Sequence, residues 1–259
     1  MAKYALIGEK LGHSYSKIIH HKFFEKRNLD DTYELIEIPK NRLKEEFDRL
    51  CRVYDGINVT IPYKIDVMPF LYSISREAES IGAVNTIKFA DGKAYGYNTD
   101  YFGLKSTFCV NDISIKGKKV VILGTGGVSR AAYAVCRDMG ADDITFVSRT
   151  KPEKSEYSVI TYDDAIVGDI LVNCTPVGMY PNVDVAPLSD ISETFSAVVD
   201  TIYNPDVTLL MREASQKGIK AVSGLYMLVA QAIHAQAIWK NECADEDIIQ
   251  KIYKEMTSK

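Results

Sequence analysis

The sequence predicts an α/β protein built as two successive α/β units. Three observations lead there. Short apolar runs of strand length alternate with longer amphipathic stretches along nearly all of the 259 residues. The segment VVILGTGGVSRA (120–131) sets a glycine-rich turn between a strand and a helix, the context of a Rossmann-like domain. The polar stretch NDISIKGKK (111–119) separates the two runs, which puts the domain boundary near residues 100–117. The expected division is 1–103 and 104–234, with C-terminal helices from about 235 to 259 returning to the first domain.

In the first domain, YALIG (4–8) reads as a strand, and a helix follows from about Ser16 with Ile19 and Phe23 four apart. YELIEI (33–38) is a second strand. Asn41 is placed to cap a helix whose Leu43, Phe47 and Leu50 form an apolar stripe. GINVT (56–60) opens a third strand in which Ile57, Val59 and Ile61 alternate with polar residues, and Pro62 then stops it. SREAESIGA (75–83) reads as a short helix. NTIKFADGKAYGYN (85–98) reads as a hairpin, because Asp91-Gly92 is a strong turn dipeptide between alternating runs. YFGLKSTF (101–108) is a helix that leads out of the domain, with Asp100 before it.

In the second domain, KKVVILG (118–124) is nearly continuous apolar sequence, as a parallel strand covered on both faces should be. SRAAYAVCRDMG (129–140) is a helix ended by Gly140. DITFVSR (143–149), YSVITY (157–162), DILVNCTP (169–176) and SAVVDTIY (196–203) are strands. TLLMREASQKG (208–218) is a helix and IKAVSG (219–224) a last strand. A long apolar helix runs from Leu225 to about Trp239, and DEDIIQKIYKEMT (245–257) is an amphipathic one. Only seven residues separate SRT (148–150) from SVITY (158–162). That is short for a parallel crossover, which usually holds a helix. The connection is therefore an extended loop, or the strand lies elsewhere.

Composition excludes several classes of function. Lys and Arg number 31 against 35 Asp and Glu, and no basic stripe points to nucleic acid or an anionic membrane. No apolar run reaches the roughly 18–20 residues that span a bilayer. MAKYALIGEK has too short an apolar run for a secretory signal and reads as a first strand. The five cysteines are scattered without a CxxC pair, as expected of reduced thiols in a cytoplasmic protein without a metal site.

The glycine turn predicts a dinucleotide site. Gly124 allows the sharp turn, Gly126 lets a pyrophosphate approach the backbone, and Thr125, Gly127 and Val128 complete the turn. The following helix N-terminus offers free N–H groups and a partial positive charge. Ser129 replaces the third fingerprint glycine. The next strand ends in Ser148-Arg149-Thr150-Lys151. A carboxylate there would bind a ribose 2′-hydroxyl, whereas two hydroxyls and two cations suit a 2′-phosphate, so NADP is favoured over NAD. One charge-assisted hydrogen bond from Arg149 implies a preference of about 10- to 150-fold.

Polar residues in the first domain recur at the ends of elements. Ser14 and Ser16 beside a helix start read either as caps or as a carboxylate site. Asn58 and Thr60 share one face of their strand. Asp100 reads as a cap or as a catalytic carboxylate, and Lys64 as a solvated or a catalytic lysine. A nicotinamide cofactor needs a partner that gives or takes a proton. With the four histidines near the chain ends, Lys64 and Asp100 are the best acid–base candidates.

Nine ordered segments resemble the shikimate dehydrogenases: HSYS (13–16), GINVTIPYK (56–64), GAVNT (82–86), GYNTDYFG (96–103), LGTGGVSRA (123–131), SRT (148–150), NCTPVGM (173–179), DTIYNP (200–205) and SGLYMLVAQA (223–232). The resemblance implies a substrate domain and an NADP domain around a cleft that holds the active site. It implies reversible, NADPH-dependent reduction of 3-dehydroshikimate to shikimate. Ser14 and Ser16 should hold the substrate carboxylate. Asn58, Thr60, Asn85, Tyr203 and Gln231 should bind ring hydroxyls or the carboxylate, and Lys64 and Asp100 should form the catalytic pair. Thr175, Gly178 and Met179 of NCTPVGM should line the nicotinamide, with Thr201 and Gly224 nearby. A quinate or aminoshikimate dehydrogenase on the same scaffold is the alternative enzyme, and a non-catalytic NADP(H) sensor the alternative of another class. A monomer or homodimer is expected.

Overall fold

The computed structural model describes residues 1–12, 14–153 and 155–258. His13 of the HSYS segment and Lys154 of the short crossover lie outside the described residues. In chain order the elements are β1 (Lys3–Gly8), α1 (Ser16–Arg27), β2 (Thr32–Glu37), α2 (Leu43–Val53), β3 (Gly56–Val59), β4 (Ser73–Ile74), α3 (Arg76–Ile81), β5 (Thr86–Ala90), β6 (Lys93–Tyr97) and α4 (Thr99–Val110). Then come β7 (Lys119–Leu123), α5 (Gly127–Asp138), β8 (Asp143–Ser148), β9 (Ser158–Thr161), β10 (Ile170–Asn173), β11 (Ala197–Asp200), α6 (Leu209–Gln216), β12 (Lys220–Val222), α7 (Leu225–Lys240) and α8 (Glu246–Thr257). The chain divides into two compact units. One comprises residues 1–103 with the C-terminal residues from Val229 on, and the other Leu104–Leu228.

The first unit holds a mixed sheet of order β2-β1-β3-β5-β6-β4. β1 pairs parallel with both β2 and β3, while β5 runs antiparallel to β3 and β6. The α2 stripe behaves as its spacing predicts: Leu43, Phe47 and Leu50 are all buried in the core with Ile7, Ile57 and Ile87. The β5–β6 hairpin closes through Asp91 and Gly92, both at positive φ (51° and 68°) between the paired Ala90 and Lys93. Positive φ at both central residues gives the turn whose twist suits two strands.

Three expectations at element ends are corrected. Ile61 is 77% exposed and outside the core, because β3 ends at Val59 and the chain turns away. Asn41 lies in a 3₁₀ turn, Lys40–Arg42, and no side chain caps α2; the tighter turn takes the place of a cap. Asp100 does not cap α4. The helix starts one residue earlier, and Asn98 Oδ1 accepts the Asp100 N–H at 3.1 Å. The two-residue β4 carries too little pattern to be read from sequence.

The second unit is a six-stranded parallel sheet of order β12-β11-β10-β7-β8-β9. From β7 the chain builds outward through β8 to β9, then returns to β10 and builds the other way. β7 and β10 therefore flank the switch point, where ligands bind at the carboxyl ends of strands in such sheets. The crossover from β8 to β9 shows no helix among its described residues. Tyr157 instead packs its ring against Tyr133 of α5 (centroids 4.6 Å) and Phe146 of β8 (5.2 Å). Aromatic area covers the sheet where a helix usually would. Among the described residues no helix is long and apolar enough to cross a membrane.

Candidate active site

Lys64 stands on a turn fixed from several sides. Past β3, the Thr60 N–H donates to Ile7 O (2.9 Å) and the Tyr63 N–H to Thr60 O (3.0 Å). The Tyr63 ring is fully buried, and its hydroxyl donates to Ile38 O. Lys64 O accepts the Val84 N–H at 2.7 Å. With Tyr63 anchored in the core and the Lys64 carbonyl bonded, the lysine side chain is delivered to Asp100: Nζ to Oδ2 is 2.6 Å. The side chains are only 17% and 10% exposed. Asp100 sits in the first turn of α4, where the helix dipole favours a carboxylate. Pairs this buried rarely add to stability, because desolvation offsets their attraction. The arrangement holds an ammonium group against its counter-charge in a largely buried place.

Beside this pair lies a buried polar network in the same unit. The Tyr33 hydroxyl donates to Asn58 Oδ1 at 2.7 Å, while Asn58 Nδ2 donates to Thr86 Oγ1 at 3.0 Å and to Asn85 O at 3.3 Å. Asn58 is thus engaged at both ends of its amide. Asn85 Oδ1 accepts the Thr99 N–H (2.7 Å) and the Thr86 hydroxyl (3.0 Å), which leaves its two Nδ2 protons for another acceptor. The Thr99 hydroxyl reaches Gln231 Oε1 at 3.2 Å. Ser16, the first residue of α1, is buried and hydrogen-bonds the Tyr33 phenol. Ser14 Oγ accepts the Ser16 N–H at 3.3 Å and keeps its own proton. Tyr33, Thr86 and Thr99 carry no signal of their own in the sequence. Their roles depend on partners brought in from other strands and helices.

The residues expected to bind a dinucleotide gather at the carboxyl edge of β7, β8 and β10. Gly124 has φ +93°, a conformation an L side chain resists. A Cβ there would also stand 3.1 Å from Thr175 Cγ2. Gly126 precedes the first turn of α5, and a Cβ on it would meet open space, which suits an approaching pyrophosphate. Thr125 and Gly126 are exposed and Gly127 and Val128 half-buried, while Ser129 is fully buried under the turn. Ser148 ends β8, and Arg149, Thr150 and Lys151 follow exposed. Neither cation forms an ion pair among the described residues, and such a set fits a phosphate.

Thr175 belongs to a second buried network. Asn173 Oδ1 accepts both the Thr175 N–H (3.0 Å) and its hydroxyl (2.7 Å), and Asn173 Nδ2 donates to Asp200 Oδ1 (2.9 Å). Burial pushes the Asp200 carboxyl up to about 6, against the pull of hydrogen bonds from Thr208, Ile202 and Asn173. Gly178 has φ +96°, and Met179 beside it is exposed. Thr201 is half-buried after β11, and Tyr203 lies two residues further on in this same unit. A Cβ on Gly224 would stand 2.2 Å from Thr201 O, so only glycine fits. Asn173 and Asp200 join the network from outside the expected site residues. Each ends a buried strand, and the signal was a polar residue closing an apolar run. Among the described residues no group of three or more His, Cys, Asp or Glu could hold a metal.

Comparisons with known proteins bear on these features. The sequence pattern of the shikimate dehydrogenase substrate binding domain matches residues 6–87. The shikimate dehydrogenase (NADP(+)) of Clostridium beijerinckii is 41% identical over 98% of this chain and 97% of its own length. A crystal structure of a chorismate mutase/shikimate 5-dehydrogenase fusion protein from Clostridium acetobutylicum superposes with TM-score 0.94 at 43% identity, covering 100% of this chain and 98% of that one. A shikimate 5-dehydrogenase from Thermus thermophilus, in complex with NADP(H) and shikimate, superposes with TM-score 0.88 at 30% identity over 98% and 99% of the two chains.

Proposed function

The chain belongs to the shikimate dehydrogenase family, and on that premise we propose that it interconverts 3-dehydroshikimate and shikimate with NADP(H). This is a step of aromatic amino-acid biosynthesis, carried out here by a cytoplasmic monomer or homodimer. The observation that carries the reading is the 2.6 Å contact of Lys64 and Asp100 within the unit that includes the matched substrate-binding segment.

Bound NADPH supplies the hydride in reduction, and the oxidised cofactor takes it back in the reverse direction. The chain's own residues handle the proton and the positioning. The Lys64 ammonium donates a hydrogen bond, then a proton, to the substrate's keto oxygen, and Asp100 holds Nζ in place. In oxidation Lys64 takes the hydroxyl proton. Ser14 and Ser16 hold the substrate carboxylate, the Ser14 hydroxyl with its free proton. Asn58, Thr60, Gln231, Tyr203 and the Nδ2 protons of Asn85 take the ring hydroxyls or the carboxylate. The turn from Gly124 to Val128 takes the pyrophosphate. Ser148, Arg149, Thr150 and Lys151 take the 2′-phosphate. Thr175, Gly178, Met179, Thr201 and Gly224 line the nicotinamide.

A spectrophotometric assay of NADP⁺ reduction tests this with three arms: shikimate, quinate and no substrate. Turnover on shikimate supports the reading, and turnover on quinate alone replaces it with the related dehydrogenase. Cofactor binding without turnover on either identifies a sensor.

A further inference from the structure

Asp200 takes no part in the acid–base pair or the glycine turn, yet it is a carboxylate with no exposed surface. Every partner it has among the described residues is neutral. Oδ1 accepts Asn173 Nδ2 at 2.9 Å and the Ile202 N–H at 3.1 Å, and Oδ2 accepts the Thr208 hydroxyl at 2.7 Å. An apolar residue of similar size would avoid the cost of burying this charge. What a carboxylate offers instead is direction: when ionised it only accepts.

That direction propagates. Facing Asp200, Asn173 must present Nδ2, so its Oδ1 faces the other way. There it receives the Thr175 N–H and the Thr175 hydroxyl proton. With its proton so placed, Thr175 Oγ1 accepts the Val177 N–H at 3.3 Å. The Thr175 methyl is thereby fixed beside Gly124 at the turn that is read as the cofactor site. Turning the Asn173 amide over would set its NH₂ against the Thr175 N–H, donor on donor in a buried place, and the loop would have to move.

We infer that Asp200 is a positioning residue for the cofactor: through Asn173 it sets the direction of the hydrogen bonds that hold Thr175 against the glycine turn. The inference rests on the reading of the chain as an NADP-dependent dehydrogenase.

The test measures NADPH binding by fluorescence titration, and the KM for shikimate, in the full chain and four variants. Asp200→Asn keeps an oxygen toward Asn173 and Ile202 and should bind NADPH within about twofold of wild type. Asp200→Leu and Asn173→Ser break the relay and should each weaken NADPH about tenfold, the effect of one net hydrogen bond, with the shikimate KM changed less than about twofold. Thr208→Val removes the Oδ2 bond together with the cap that Thr208 gives the Met211 N–H at the start of α6, and leaves the Asn173 side of Asp200 intact; it should lower the thermal midpoint and leave NADPH affinity within about twofold. If Asp200→Leu does not fold, Asn173→Ser carries the test alone. Wild-type affinity in the folded relay variants overturns the inference, as does an equal loss in Asp200→Asn or a parallel loss for shikimate. A wild-type chain that binds no NADPH overturns the functional reading itself, and this inference with it.

Discussion

Lys64 is held by its backbone at one end and by a charge at the other, and each restraint predicts a different phenotype. Lys64→Ala removes the proton donor and should lower turnover about 10²- to 10⁴-fold, the usual size of an acid–base contribution. Steady-state kinetics with shikimate and NADP⁺ check it, and a change confined to KM would make Lys64 a binding group. Tyr63→Phe leaves Lys64 in place but strands Ile38 O in the core. It should cost about 1–3 kcal/mol of stability in urea unfolding and change turnover far less than the lysine substitution. The difference between the two residues marks what is legible in a sequence. Lys64 and Asp100 could be singled out as a candidate pair because a redox reaction needs a proton partner and the family pattern offers one, and the structure brings the two side chains together. Tyr33, Tyr63 and Asp200 could not, because a tyrosine or aspartate in a strand or turn says nothing of the carbonyl or amide that a distant segment will bring to it.

At the scale of elements, legibility followed periodicity and turn chemistry. The hairpin at Asp91-Gly92, the α2 stripe and the parallel strand before Gly124 were all readable, because each repeats a pattern over several residues or carries a special dihedral. Ile61 keeps the alternation yet lies outside the core, because alternation does not reveal where a strand stops and the chain leaves the sheet after Val59. The crossover from β8 to β9 was ambiguous in sequence; Tyr157 covers it with one ring, a contact without periodic signature. The glycine turn offers an element-scale prediction. Gly124→Ala places a side chain at φ +93° and 3.1 Å from the Thr175 methyl. It should cost about 1–3 kcal/mol in stability and weaken NADPH binding, with the shikimate KM little changed. Paired thermal melts and cofactor titrations check both halves.

For the whole molecule, three buried titrating groups pull its stability in opposite directions below neutral pH. Burial lowers His20 to about 3 and His234 to about 4. Their folded values lie below the unfolded 6.5, so their contribution is full above that value and is lost as pH falls. Asp200 is raised to about 6, so its contribution is full below the unfolded value of about 3.8 and is lost as pH rises through 6. Between pH 7 and pH 5 the two histidines should remove about 4 kcal/mol and Asp200 should return about 1. Carboxylates such as Asp169, held low by the Lys119 N–H, act only at more acid pH. Urea midpoints at the two pH values should therefore fall on acidification, and Asp200→Asn should fall further by about 1 kcal/mol. A shallower fall in that variant would contradict the assignment.

The first unit is assembled from both ends of the chain, with the second unit between them in sequence. The same discontinuity recurs in single contacts. Glu255 of α8 takes Lys22 and Lys26 of α1, and Trp239 Nε1 donates to Ile87 O. On a ribosome these pieces emerge far apart in time. The nascent second unit is contiguous and can close as soon as Leu228 clears the exit tunnel. The N-terminal sheet must wait for α7 and α8, about 10–30 s at ordinary elongation rates of roughly 5–20 residues per second. During that interval the faces of α1 and β5 destined for the C-terminal helices stay uncovered. A chaperone that binds exposed apolar segments would find its target in the N-terminal half of the nascent chain, before the inserted unit.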